Sequence, residues 1–291
     1  MNDNLKKAIR DRNVILFVGA GVSATLKLPT WSQLIEHIAS ELGYDAEIFN
    51  QYGDSLLLAE YYVIKKGRIG ELRRWMDRNW LIDADKIQHS RIYELIVQLN
   101  SPLIYTTNYD CCLESAYDIW KKDYKKIVGV DDLVGLDPMT TQIIKFHGDT
   151  ISDESIVLTE SSYFRRLDFE SPLDIKLRSD MLGKSLLFLG YSMTDINMRL
   201  LIYKLDRLWK NNNNIDKRPP SYIFFPEPNP IQETILAQRE INTIVGEGID
   251  KKESLEKFLE SLLQGKYLTE LQCLLFSNWL YRKHSSLPLA G

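Results

Sequence analysis

Short apolar runs alternate with longer stretches of helical period along this chain. Val14-Ile15-Leu16-Phe17-Val18 is rich in β-branched residues and stops at a glycine, the pattern of a buried parallel strand opening into a loop. Behind it, Trp31, Leu34, Ile35, Ile38, Ala39 and Leu42 recur at helical spacing and predict one amphipathic helix. Further strands are predicted at Leu103-Ile104-Tyr105-Thr106, Gln142-Ile143-Ile144-Lys145, Ser185-Leu186-Leu187-Phe188-Leu189, Tyr222-Ile223-Phe224-Phe225 and Asn242-Thr243-Ile244-Val245. Residues 44–100 have helical composition with no convincing strand, and a second helical stretch is predicted near residues 160–182. Met198, Leu201, Ile202, Leu205, Leu208 and Trp209 mark an amphipathic helix after the Ser185–Leu189 strand and its loop.

This order of elements predicts an α/β protein with a Rossmann-like parallel sheet sandwiched by helices, a helical insertion at about 44–100 and a C-terminal helix. The core is expected over residues 1–265 and a helical tail over 266–291. In that tail, Leu271, Cys273, Leu274, Leu275, Phe276, Trp279 and Leu280 make a helix apolar on most of its circumference. Such a helix needs cover on more than one side, either from the helical insertion or from a neighbouring subunit, and a homo-oligomer is expected.

Composition narrows the partners. Lys and Arg total 36 against 40 Asp and Glu, a net charge of -4, which gives no electrostatic reason to expect direct nucleic-acid binding. No apolar run approaches the roughly 18–20 residues of a membrane span and the first residues lack a secretory core, so a cytoplasmic protein is expected. The three cysteines, Cys111, Cys112 and Cys273, make neither a disulfide framework nor a pair of zinc knuckles.

Four loops carry the candidate chemistry. Gly19-Ala20-Gly21-Val22-Ser23-Ala24 matches the Gly-x-Gly-x-x-Gly/Ala fingerprint after a strand and before a helical pattern, where glycines permit a tight turn and close backbone approach to a pyrophosphate. A plain strand-to-helix turn explains the same residues. The acidic residue that closes a second strand in hydride-transfer enzymes is missing, which argues against that class. Thr107-Asn108-Tyr109-Asp110 follows a strand, at the sheet edge where open α/β folds bind ligands, although Asn108 or Asp110 also suits a helix cap. His147, followed by Gly148, again ends a strand, and its ordinary pKa of about 6.5 suits proton transfer near neutrality. Gly190-Tyr191-Ser192 is the fourth loop.

In order and spacing these motifs resemble the sirtuin-like, NAD-consuming superfamily. Sirtuins read Gly-Ala-Gly-Ile-Ser, Thr-Gln-Asn-x-Asp, a catalytic His-Gly and Gly-Thr-Ser; this chain reads Gly-Ala-Gly-Val-Ser, Thr106-Thr107-Asn108-Tyr109-Asp110, His147-Gly148 and Gly190-Tyr191-Ser192. Lysine-deacylating sirtuins insert a four-cysteine zinc module after that His, whereas no cysteine lies between His147 and Gly190, so no zinc is expected. The stretch Gly190-Tyr191-Ser192-Met193-Thr194-Asp195-Ile196-Asn197 is similar to the Gly-Tyr-Ser-x-x-Asp-x-Asn of bacterial sirtuin-like NAD hydrolases of anti-phage defence. Asp195 and Asn197 equally suit a helix cap.

The resemblance implies cleavage of the nicotinamide glycosidic bond of NAD with capture of the ribose by water, within a catalytic domain spanning residues 1–265. It implies Asn108 and His147 as catalytic residues, and Gly19, Ala20, Gly21, Ser23, Thr107, Asp110, Gly190 and Ser192 as dinucleotide-binding ones. Trp31 is expected either to shield the nicotinamide or to be a core aromatic. By the same analogy, control is expected from a hexameric ATPase of the DNA-translocase kind. A protein deacylase and a catalytically silent nucleotide-binding scaffold are the alternatives.

Overall fold

The computed structural model describes residues 3–150, 155–166, 170–193, 195–211 and 217–264; the predicted C-terminal tail helix lies outside them. Seven strands, β1 (Val14–Val18), β2 (Leu103–Thr106), β3 (Tyr124–Ile127), β4 (Thr141–Lys145), β5 (Ser185–Leu189), β6 (Ser221–Phe225) and β7 (Ile241–Val245), form one sheet. Its order is β3-β4-β2-β1-β5-β6-β7 and every pairing is parallel. The helices before β2 are α1 (Asp3–Arg10), α2 (Ala20–Ala24), α3 (Trp31–Leu42), α4 (Ala46–Asn50), α5 (Ser55–Lys66), α6 (Gly70–Asn79), α7 (Ala84–Gln88) and α8 (Arg91–Leu99). After it come α9 (Cys112–Ile119), α10 (Glu160–Arg165), α11 (Pro172–Gly183), α12 (Ile196–Lys210), α13 (Pro230–Ala237) and α14 (Lys251–Leu263).

The alternation of a strand builds two cores from one sheet. Val14, Leu16 and Val18 of β1 face a cluster containing Leu5 and Ile9 of α1, Ile92 and Ile96 of α8, and Phe258 and Leu259 of α14. Ile15 and Phe17 point the other way, to Leu177 of α11, Met198 and Leu201 of α12, and Leu236 of α13. All five β1 residues are buried, which is why the run is apolar throughout instead of alternating.

Between β1 and β2 the described elements are all helical. Helix α3 begins where Thr30 and Gln33 form a reciprocal capping box, and it ends at Gly43, whose φ of 77° needs no Cβ. Its predicted apolar face, Leu34, Ile35, Ile38 and Ala39, joins Phe49, Leu58, Ala59, Tyr62, Leu72 and Met76 in a third cluster. Tyr109, Ile156 and Leu158 belong to the same cluster, so the insertion packs directly on the loops that follow β2 and β4. Trp31 is half-buried against this cluster, its core role.

Four elements, α1, β3, α13 and α14, were not expected from the pattern. Helix α1 offers only Leu5 and Ile9 to the core, and β3 is an edge strand reading Tyr-Lys-Lys-Ile, of which Ile127 alone is buried. The helical stretch near 160–182 resolves into α10 and α11.

Candidate active site

The four motif loops all leave the carboxyl ends of adjacent strands, in the spatial order β4, β2, β1, β5. After β4 the chain crosses to the far side of β1, so the direction of the sheet reverses between β1 and β5, where open α/β sheets place their ligands.

Glycines lock the β1 and β5 loops together. Gly19 donates its N–H to Leu189 O and Gly21 donates to Gly190 O, each at 2.9 Å. A Cβ on Gly21 would lie 2.8 Å from Gly190 O, and one on Gly190, whose φ is +59°, would collide with Val22 N. The fingerprint glycines are therefore required first by each other. Ala20 is exposed at the start of α2, and Ser192 is exposed beyond Tyr191.

Ser23, Asn108 and Asp110 converge. Ser23 Oγ donates to Asp110 Oδ2 at 2.7 Å, receives Asn108 Nδ2 at 3.1 Å and lies 3.2 Å from Tyr93 Oη. Thr106 Oγ1 accepts the Asn108 N–H at 3.0 Å and donates to Val18 O, tying the loop to β1. Asp110 Oδ1 accepts the N–H of Cys112, the first residue of α9, at 3.1 Å, so one carboxylate holds both the start of that helix and Ser23. Below it, the buried ammonium of Lys145 donates to Asp110 O and lies 3.5 Å from Glu114 Oε1. Burial opposes that charge, but Glu114 and Asp110 outweigh it and hold the ammonium above its ordinary range. Ser23 is only 4% exposed, so the sequence-predicted phosphate ligand faces the Asn108 loop.

His147 is 2% exposed. Its Nδ1 lies 3.2 Å from Tyr163 Oη of α10, and its Nε2 lies 3.2 Å from Asp195 Oδ2, in ion-pair range but not aligned as a hydrogen bond. Burial pushes the imidazole down to about 4, against the pull of Asp195, so the ring is neutral at pH 7. Gly148, at φ +87°, makes the turn after it, where a Cβ would strike Ser155 O.

The His147 and Asn108 loops are joined on two sides. The Tyr191 hydroxyl on the β5 loop, beside Thr107, donates to Asp195 Oδ2 at 3.2 Å, and that carboxylate oxygen also faces His147. Val157 donates its N–H to His147 O at 2.9 Å, and its carbonyl accepts the Tyr109 hydroxyl at 2.6 Å. Tyr109 stacks on Trp80 of the helical insertion, ring centroids 5.3 Å apart, so the insertion fixes the residue next to Asn108.

Asp195 caps α12 through Met198 N–H at 3.1 Å, as the sequence allows, and also faces His147, which the sequence pattern does not reveal. Asn197 is 1% exposed and both ends of its amide lack a hydrogen-bond partner among the described residues. A buried amide left unpaired is costly, and a water or a ligand group bound beside it would supply the missing partner. Among the described residues no group of three or more His, Cys, Asp or Glu is assembled as a metal site. No helix among them is long and apolar enough to cross a membrane.

The parallel sheet, its point of reversal and the polar loops gathered there define a doubly wound α/β protein with one site at its carboxyl edge. The chain carries a SIR2-like domain: residues 102–244 match that family's model. It is 30% identical over 236 residues to the NAD(+) hydrolase ThsA of Cytobacillus dafuensis, covering 80% of this chain and 45% of that protein. It is 27% identical over 206 residues to the NAD(+) hydrolase ThsA of Bacillus cereus (strain MSX-D12), covering 68% and 41%. Defense-associated sirtuin 2 of Bacillus subtilis is 25% identical over 241 residues, covering 80% and 22%. The chain thus spans less than half the length of these relatives. A solved structure described as "The Structural basis for Sirtuin Substrate affinity" aligns at a TM-score of 0.44 and 11% identity, over 91% of this chain and 98% of that one.

Proposed function

We propose that this chain hydrolyses NAD+ at the bond between nicotinamide and ribose, giving nicotinamide and ADP-ribose, and that it serves anti-phage defence by depleting NAD. One observation carries the reading. Asn108 and a neutral, buried His147 leave adjacent strands and are tied together through Val157 and Tyr109, beside the glycine-locked loops at the reversal of the sheet. The similarity to proteins named NAD(+) hydrolase supports the choice of substrate.

In this reaction the C1′–N bond breaks and its electron pair leaves with nicotinamide, while a water oxygen bonds to C1′ and gives up a proton. The oxocarbenium-like ribose has little need of a strong nucleophile; it needs a held water and a proton acceptor. A neutral imidazole is in the form that accepts that proton, and in this reading the Asn108 amide, anchored on Ser23, orients the water and a ribose hydroxyl. The dinucleotide's phosphates belong beside Gly19, Ala20 and Gly21, with Gly190 and Ser192 on the other side of the crevice. Assembly through residues 266–291, on the strength of their apolar sequence, and control by a hexameric ATPase, on the strength of the resemblance alone, are part of the same proposal.

Incubation of the purified full chain with NAD+, alone and with such an ATPase, followed by mass spectrometry of the products, tests it. Asn108→Ala and His147→Ala are each expected to abolish NAD loss in a folded protein. Turnover at the wild-type rate in both variants overturns the assignment.

A further inference from the structure

The Asp195 carboxylate stands where three elements meet. One oxygen caps α12 through Met198 N–H, and the other lies 3.2 Å from both His147 Nε2 on the β4 loop and Tyr191 Oη on the β5 loop. The opposite ring nitrogen of His147 faces Tyr163 of α10. The Nε2 contact is misaligned for a hydrogen bond, but a lone pair there would face the carboxylate oxygen and be repelled, so charge favours hydrogen on Nε2. The lone pair is then on Nδ1, and the Tyr163 hydroxyl, kept protonated by its burial, donates to it.

We propose that Asp195 is the positioning residue of His147, fixing the ring with its proton on Nε2 and its basic lone pair on Nδ1, shared with the Tyr163 hydroxyl. The functional half of this inference rests on the hydrolysis reading; the tautomer is a property of the resting chain. In the reaction, the proton released by the attacking water reaches Nδ1 by way of the Tyr163 hydroxyl, which gives its own proton to the ring and takes the water's. The imidazolium so formed is flanked by the Asp195 carboxylate. The other charges near the ring are Arg166, which follows α10, and Asp174 of α11, and these two pair with each other at 2.5 Å. Asp195 is the carboxylate within ion-pair distance of the ring itself.

Long-range 1H–15N spectra of the full chain with labelled histidine report the tautomer without any substrate, His147 being assigned by comparison with His147→Gln. The expected wild-type form is Nε2–H, lost or mixed in Asp195→Asn, which keeps a side chain able to cap α12. In turnover, Asp195→Asn is expected to lower kcat at least about tenfold with KM changed less than about twofold. Its acid limb is expected to move to lower pH, because the imidazolium has lost its counter-ion. Asp195→Ser, also a capping residue, repeats the comparison if the Asn variant misfolds. An Nδ1–H tautomer in the wild type, or an Asp195→Asn variant with unchanged tautomer and acid limb, overturns the inference. Absence of turnover in the wild type overturns the hydrolysis reading, while the spectra by themselves uphold or overturn the tautomer.

Discussion

Gly21 donates its backbone N–H to the carbonyl of Gly190 at 2.9 Å, so the loops that close β1 and β5 behave as one unit although 168 positions separate the two residues. Gly190→Ala places a Cβ against Val22 N at a φ of +59°. A loss of about 1–3 kcal/mol is expected from strain at such a site. Urea denaturation monitored by circular dichroism measures it, and an unchanged midpoint would show that the loops can part freely.

Burial of neutral His147 links stability to pH. The unfolded chain binds this proton near pH 6.5 and the folded one near 4, so below pH 6.5 unfolding takes up a proton. The contribution is complete above about pH 6.5, falls as pH drops towards 4 and is constant below that. Between pH 6.5 and 5 the wild type is expected to lose about 2 kcal/mol more than His147→Gln. Parallel denaturation series on the two proteins give the difference directly, and equal slopes would contradict it.

Lys145→Met removes the buried cation beneath Asp110 and leaves Glu114 and the Asp110 carbonyl without it. Breaking one side of a buried pair costs about 3–5 kcal/mol. Glu114 is already raised by burial, so Glu114→Gln is expected to be milder, and the double variant less destabilised than the sum of the two. A double-mutant cycle on unfolding free energy checks the coupling.

Asp195→Ala deletes the α12 cap and is expected to cost about 0.5–2 kcal/mol, whereas Asp195→Asn retains most of that stability. Thermal melts of both variants separate capping from the effect on His147, since only the charge is lost in the Asn variant.

The strands that carry the site were legible because each is a short apolar run buried on both faces, a signal that needs no knowledge of neighbours. β3 escaped because an edge strand keeps water on one side: Lys125 there is exposed, and Lys126 pairs with the buried Asp149 instead of adding to an apolar run. Helix α1 escaped because two apolar residues four positions apart make too small a stripe to stand out. Within the site, the motif residues were visible by type and order. Their partners were not: Tyr163, Lys145 and Asp195 reach His147 or the Asn108 loop only through packing of α10, β4 and α12, and no local spacing encodes such meetings. The glycine fingerprint was read for its openness to a ligand, while in the fold its first duty is backbone-to-backbone contact with Gly190.

Val157 holds one loop by its amide and the other by its carbonyl, gripping His147 and, through the Tyr109 hydroxyl, the neighbour of Asn108. A displacement of that one peptide therefore reaches both loops together. The imidazole and the amide share this tether, while Ser23 and Thr106 on one side and Tyr163 and Asp195 on the other keep their own hold on each.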